Sequence, residues 1–187
     1  TNGDNDFDVV CSNGVSPAAS ASITVTKNEA PAISGLASSE TSPTLAGTTT
    51  LSWSVTGYPA PTCDVNGGPG TPAGTSVNLV NGDNTFNVTC GNGIGSDATG
   101  QITVTKHEVA AVSGLTATPG GTTEDENTVL TWSATGYPDP DCTIGGNPAT
   151  SGDSFALNPG VHTFTLSCDN EAGPPATASV SVTRNVA

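Results

Sequence analysis

The chain repeats itself with a period of 79 residues. Trp53-Ser-Val-Thr-Gly-Tyr-Pro59 recurs as Trp132-Ser-Ala-Thr-Gly-Tyr-Pro138, and Cys63 recurs as Cys142 at the same offset. Ile33-Ser-Gly-Leu36 returns as Val112-Ser-Gly-Leu115. One set of positions occurs three times. Cys11, Cys90 and Cys168 match, Phe7, Phe86 and Phe164 keep step, and the three bases Lys27, Lys106 and Arg184 share one repeat position. Self-similarity at a fixed period marks tandem units. The frame gives residues 1–29, 30–108 and 109–187. The last two are full units. Residues 1–29 match only the final third of one, so the chain is expected to start within a unit, with Cys11 unpaired or intermolecular.

Inside a unit nothing recurs at a 3.6-residue period, so helices are not expected. The 23 glycines and 14 prolines punctuate runs of alternating Thr, Val and Ile, the pattern of short strands. Thr49–Val55 sets Leu51, Trp53 and Val55 on one face. Thr62–Val65 aligns Cys63 with Val65, and Ser76–Val80 aligns Val77 with Leu79. Thr85–Cys90 aligns Phe86, Val88 and Cys90, and Gln101–Thr105 aligns Ile102 with Val104. Ile33–Ala37 reads as a first strand. Asn66–Gly74 reads as a Gly/Pro loop, and Asn81-Gly82 as a tight hairpin. Six or seven strands, each with one apolar face, must bury it against a second sheet. The expected fold class is therefore all-β: tandem antiparallel sandwiches of about seven strands each.

The core available to such a unit is small, with Trp53 and Phe86 in one and Trp132 and Phe164 in the other as its large members. A staple is expected. Cys63 with Cys90, and Cys142 with Cys168, would close loops of 27 and 26 residues. Each is worth roughly 3–4 kcal/mol in the chain-entropy model. Structural disulfides place the chain in an oxidising compartment, hence outside the cell or at its surface.

The run Leu-Ser-Trp-Ser-x-Thr-Gly-Tyr-Pro-x-Pro-x-Cys, followed by Phe-Asn-Val-Thr-Cys-Gly-Asn-Gly and an Ile-Thr-Val-Thr strand, resembles the bacterial immunoglobulin-like repeats of secreted and surface proteins. The final two strands also resemble the end of animal I-set domains. The resemblance implies an immunoglobulin-like sandwich in both full units and its last two strands in residues 1–29. It departs from the antibody pattern, in which Cys lies on the second strand and Trp on the third. Here Trp53 and Trp132 take the second strand, and Cys63 and Cys142 the third. The disulfide would then join neighbours within one sheet, with the tryptophan across the core from it.

Charge and motif narrow the function. Seventeen acids against three bases give a net charge of −14. Such a surface repels nucleic acid and anionic membrane. No apolar run approaches the 18 residues of a membrane span. His107 and His162 have no signalled nucleophile or orienting acid, so catalysis is not expected and both read as surface histidines. No cofactor or metal motif stands out. Glu124-Asp125-Glu126 could offer hard oxygen ligands to Ca²⁺, but the matching loop Leu45–Thr49 has no acid, and a solvated loop is the simpler reading. Asp4 and Asp83 sit in Asn-Gly-Asp-Asn turns that backbone geometry explains. Asn87-Val-Thr89 is a glycosylation sequon, which leaves glycans open as partners. Tyr58 and Tyr137 could stack on sugars, or pack on the adjacent prolines.

Between units run Thr26–Ile33 and Thr105–Val112, with no Gly/Ser hinge. These features suggest a non-enzymatic rod, fibre or filament of the cell exterior. Its partners would be copies of itself or neighbouring immunoglobulin-like domains, one of them covering residues 1–29. The alternative is an adhesin or carbohydrate-binding accessory module. In residues 1–29, Phe7, Val9, Cys11, Ile23 and Val25 would present a bare apolar face.

Overall fold

A computed structural model describes residues 1–185. Residues 186–187, the end of the last unit in the sequence frame, lie outside the described residues. The described chain is all-β. It opens with β1 (Gly3–Cys11) and β2 (Ala19–Lys27), an antiparallel ribbon pairing Phe7 with Ile23 and Cys11 with Ala19. Seven strands follow: β3 (Glu29–Ser38), β4 (Thr48–Tyr58), β5 (Thr62–Val65), β6 (Gly68–Gly70), β7 (Thr75–Asn78), β8 (Gly82–Gly91) and β9 (Ala98–Lys106). Eight more complete the chain: β10 (Glu108–Thr118), β11 (Gly121–Thr123), β12 (Asn127–Tyr137), β13 (Asp141–Ile144), β14 (Asn147–Pro148), β15 (Ser154–Ala156), β16 (Gly160–Asp169) and β17 (Ala176–Arg184).

The first set forms a sheet β3-β4-β7 and a sheet β6-β5-β8-β9. The second forms β10-β12-β15 and β11-β17-β16-β13-β14. Contact density divides the described chain into two compact units. One holds Thr1–Thr41, Thr48–Leu79 and Asn84–Val104. The other takes Ser42–Gly47, Val80–Asp83 and the chain from Thr105 on.

Alternation builds each interior. Along β4, Thr49, Leu51 and Trp53 are buried while Thr48, Thr50, Ser52 and Ser54 are exposed. They meet Val65, Phe86, Val88, Cys90 and Val104 from the opposite sheet, with Leu79 closing one end. Along β12, Leu130 is buried and Trp132 half-buried. They pack with Ile144, Leu166, Cys168, Phe155 and Phe164. Trp132 is less covered than Trp53 for a local reason. Gly70 of β6 lies so close over the Trp53 ring that an added Cβ would stand 3.2 Å from it. The corresponding β14 is only Asn147–Pro148.

The cysteines lie on directly paired residues within one sheet. Cys63 of β5 faces Cys90 of β8, and Cys142 of β13 faces Cys168 of β16. Each pair is disulfide-bonded, with Cα atoms 4.1 Å and 4.0 Å apart.

Three local expectations are corrected. Asn81-Gly82 is not a hairpin: it carries the chain from β7 in one sheet to β8 in the other. Only Gly82 has a positive φ, at 96°, whereas a two-residue type I′ hairpin needs it at both central positions. The hairpin lies instead inside Asn66–Gly74, expected to be loop. Asn66 and Gly67 have φ of 51° and 79° and join β5 to β6. Gly145 and Gly146 do the same between β13 and β14. Lastly, the pairing is not wholly antiparallel. Short β11 runs parallel to β17, because the chain leaves the edge of one sheet after β10 and reaches the other before β12.

Two measurements check this account. Replacing Cys63 and Cys90 together by Ala should cost about 2–5 kcal/mol, read as a lower urea midpoint at unchanged slope for the transition that includes this sandwich. Trp53→Ala should cost about 3–5 kcal/mol by the same readout, through lost burial and the cavity left behind.

Candidate functional site

The β1–β2 ribbon has no second sheet. Residues that alternate onto one face, Phe7, Val9, Ile23 and Val25, are 56%, 58%, 62% and 50% exposed. Their repeat equivalents Phe86, Val88 and Val104 are 7%, 0% and 1% exposed. Cys11 on the same face is an exposed free thiol, while Cys90 and Cys168 are fully buried and bonded. An isolated two-stranded ribbon is marginal in water, and contiguous exposed apolar side chains mark an interaction surface. The opposite face is polar apart from the exposed Val10. Thr26 and Thr24 hydroxyls donate to Asp4 and Asp6, each at 2.6 Å. Asp83 accepts the same bond from Thr105 at 2.6 Å. These acids serve cross-strand pairs.

The tyrosines lie close over glycines. The Tyr58 ring lies where a Cβ on Gly3 would meet it at 3.3 Å, and the Tyr137 ring stands in the same relation to Gly82. Asn2 and Asn81 donate side-chain amides to the carboxylates of Glu29 and Glu108. The motif is the same in both copies.

An unforeseen polar anchor also repeats. Asn92 Nδ2 donates to the carbonyls of Glu29 and Pro59, each at 2.8 Å. Asn170 Nδ2 donates to the carbonyls of Glu108 and Pro138, at 2.7 and 2.9 Å. Each asparagine ties the turn before the final strand to the first strand and to the Tyr-Pro turn. Its Oδ1 accepts the amide two residues on, from Ile94 or Ala172. The signal was present in the sequence as Asn after the second cysteine, but nothing in it named two carbonyl acceptors so distant along the chain.

The remaining candidates each have partners of their own. His107 meets the Tyr137 ring edge-on at 6.1 Å. His162 stacks on Phe164 and lies 2.7 Å from the Asn158 carbonyl oxygen. Glu126 pairs with Arg184 at 3.0 Å, and the Thr123 hydroxyl donates to Asp125. Among the described residues no three His, Cys, Asp or Glu side chains group as metal ligands. Asn87 is exposed and accepts from Gln101 at 2.8 Å. Among the described residues no helix is long and apolar enough to cross a membrane.

No protein-family model matches the chain, and no curated protein matches it. Solved structures do. A titin I-band fragment, I67–I69, aligns with a TM-score of 0.65 at 13% identity, over 98% of this chain and 75% of that one. Sidekick-1 immunoglobulin domains 1–4 align with a TM-score of 0.56 at 15% identity, over 87% of this chain and 50% of that one. The N-terminal eight immunoglobulin domains of Down syndrome cell adhesion molecule align with a TM-score of 0.53 at 16% identity, over 97% of this chain and 28% of that one. The chain thus spans half the length of the Sidekick-1 structure. The fold is immunoglobulin-like.

Asn170→Ala should remove two bonds at once and leave the Glu108 and Pro138 carbonyls short of a donor. The expected loss is about 1–3 kcal/mol, visible as a lower thermal midpoint, and Asn92→Ala should behave alike.

Proposed function

We propose that this chain is a non-enzymatic structural segment of an extended extracellular rod, fibre or filament, on or from the cell surface. The observation that carries the reading is the linkage between units. Only Asn28 separates β2 from β3, and only His107 separates β9 from β10. The Tyr–Gly and Asn–Glu contacts are the same in each copy. A one-residue connection leaves little chain between one unit and the next, the economy of a tandem array. We divide the chain at 1–29, 30–108 and 109–187, as the repeat frame has it. The intrachain disulfides support an oxidising, extracellular setting. The resemblance to bacterial immunoglobulin-like repeats of secreted and surface proteins supports the same role, as does the presence of Down syndrome cell adhesion molecule among the structural neighbours. Partners of the rod would be neighbouring immunoglobulin-like domains or further copies.

The alternative, an adhesin or sugar-binding accessory module, would draw on Tyr58 and Tyr137. Both rings lie against glycine backbone, which weakens an aromatic platform for sugar. Electron microscopy of the native material decides between them. Regular fibres or uniform extended particles are the expected result. Dispersed, flexing particles that bind on a glycan array would replace the rod with the binding module.

A further inference from the structure

We infer that the β1–β2 ribbon is the last third of another sandwich, and that its apolar face receives a further copy of the segment Glu29–Leu79, closed by a disulfide at Cys11. The inference deepens the tandem reading above by naming what meets residues 1–29.

The same ribbon occurs three times in this chain, and two of its occurrences show what covers it. Over β8–β9 lie Leu51 and Trp53 of the opposite sheet, with Val65 on the neighbouring strand. Over β16–β17 lie Leu130 and Trp132, with Ile144 on the neighbouring strand. In both, the covering segment also brings a cysteine opposite the ribbon's own. It brings two backbone carbonyls as well, which accept the amide of the turn asparagine.

The ribbon β1–β2 is prepared for the same partner in every respect. Its register is that of β16–β17: Phe7 pairs with Ile23 as Phe164 pairs with Val180, and Cys11 with Ala19 as Cys168 with Ala176. Its turn asparagine, Asn13, accepts the Val15 amide at 3.0 Å as its equivalents do. Among the described residues no carbonyl meets the Asn13 side-chain amide. The thiol, the apolar face and the amide are therefore open together, at the three positions that one segment fills in the other copies.

The occupant is narrowly defined. It needs a Leu-x-Trp strand, a cysteine ten residues past the tryptophan, and the carbonyls that Glu29 and Pro59 present. The two segments of this chain that fit already cover their own ribbons. A second copy folded in the same way offers no free one, so the occupant is a further segment of this kind. Closing the bond takes two protons and two electrons from the Cys11 and partner thiols. A small disulfide such as oxidised glutathione accepts them and leaves as two thiols.

The test places a Glu29–Leu79 segment directly ahead of Thr1 in the full chain, since Thr1 occupies the repeat position of Val80. The fusion is refolded with oxidised and reduced glutathione and compared with the native chain. Titratable thiols should fall from one per molecule to none, with peptide mapping linking the added Cys63 to Cys11. Amide exchange in Gly3–Cys11 and Ala19–Lys27 should slow by at least tenfold. With Cys63→Ser in the added segment, one thiol should remain and the amides should still slow. With Trp53→Ser there, the slowing should be lost. Two results would overturn the inference. One is a fusion in which Cys11 stays reactive and the ribbon exchanges as before. The other is a native chain that runs as a dimer with the Phe7 and Ile23 amides already protected, the two faces covering each other. Neither readout depends on whether the native material forms fibres, so the rod can fail while this stands.

Discussion

Each sandwich rests on one contact, between its second strand and its penultimate strand across the interior. Leu51 and Trp53 of β4 meet Val88 and Cys90 of β8, and Leu130 and Trp132 of β12 meet Leu166 and Cys168 of β16. The disulfides do not hold the two layers together, because each bond lies within one sheet. They limit the freedom of the unfolded chain. Cohesion between layers is left to burial, and burial depends on register. A one-residue slip of β4 would turn Leu51 and Trp53 to water and bring Ser52 and Ser54 inward. The bonded cysteines guard the sheet that receives the tryptophan, since β5 cannot slide along β8 once Cys63 and Cys90 are joined.

The outward faces follow a second rule. They are paired by hydroxyl groups more than by charge. Thr85 faces Thr103 at 3.1 Å, Thr163 faces Ser181 at 3.0 Å, and Thr165 faces Ser179 at 3.2 Å. Cross-strand hydroxyl pairs of this kind stabilise a ladder modestly. This explains how a chain with so few bases can carry so many acids. Among the acids that lie on strands, Asp4, Asp6 and Asp83 accept from threonine across the ladder. The one ion pair among the described residues, Arg184 with Glu126, also has the Arg184 guanidinium on the Leu157 carbonyl. It fastens the final strand to the connection before β16.

What the sequence made legible was whatever alternation and repetition encode together. The apolar side of β4 and the pairing partners of Cys90 and Cys168 could be read because two copies agreed. The turns could not be read so well. Asn66-Gly67 and Asn81-Gly82 are the same dipeptide, yet one joins paired strands and the other crosses between sheets. The difference lies in where the chain goes next, which is tertiary information. The parallel β11 was hidden for the same reason, being three residues placed by a sheet edge and not by their own pattern. The asparagine anchors are a longer-range case: Asn92 bonds a carbonyl 63 residues away, and no local signal specifies that reach. The bare face of β1–β2 was legible, since the frame showed which residues its copies would bury.

Three copies of one ribbon in different surroundings separate what local sequence dictates from what the partner sheet dictates. β1–β2 has no covering sheet, yet it pairs the same repeat positions as β16–β17 and makes the same turn bond at its asparagine. Register and turn therefore belong to the ribbon itself. They follow from the asparagine turn, the cross-strand polar pairs and the alternation of the strands. What the covering segment adds is burial from the second sheet, a neighbouring strand that carries the disulfide partner, and the two carbonyls. The order of dependence is thus fixed. The ribbon sets the geometry of the face, and the covering segment gains its free energy only by matching a face already in register.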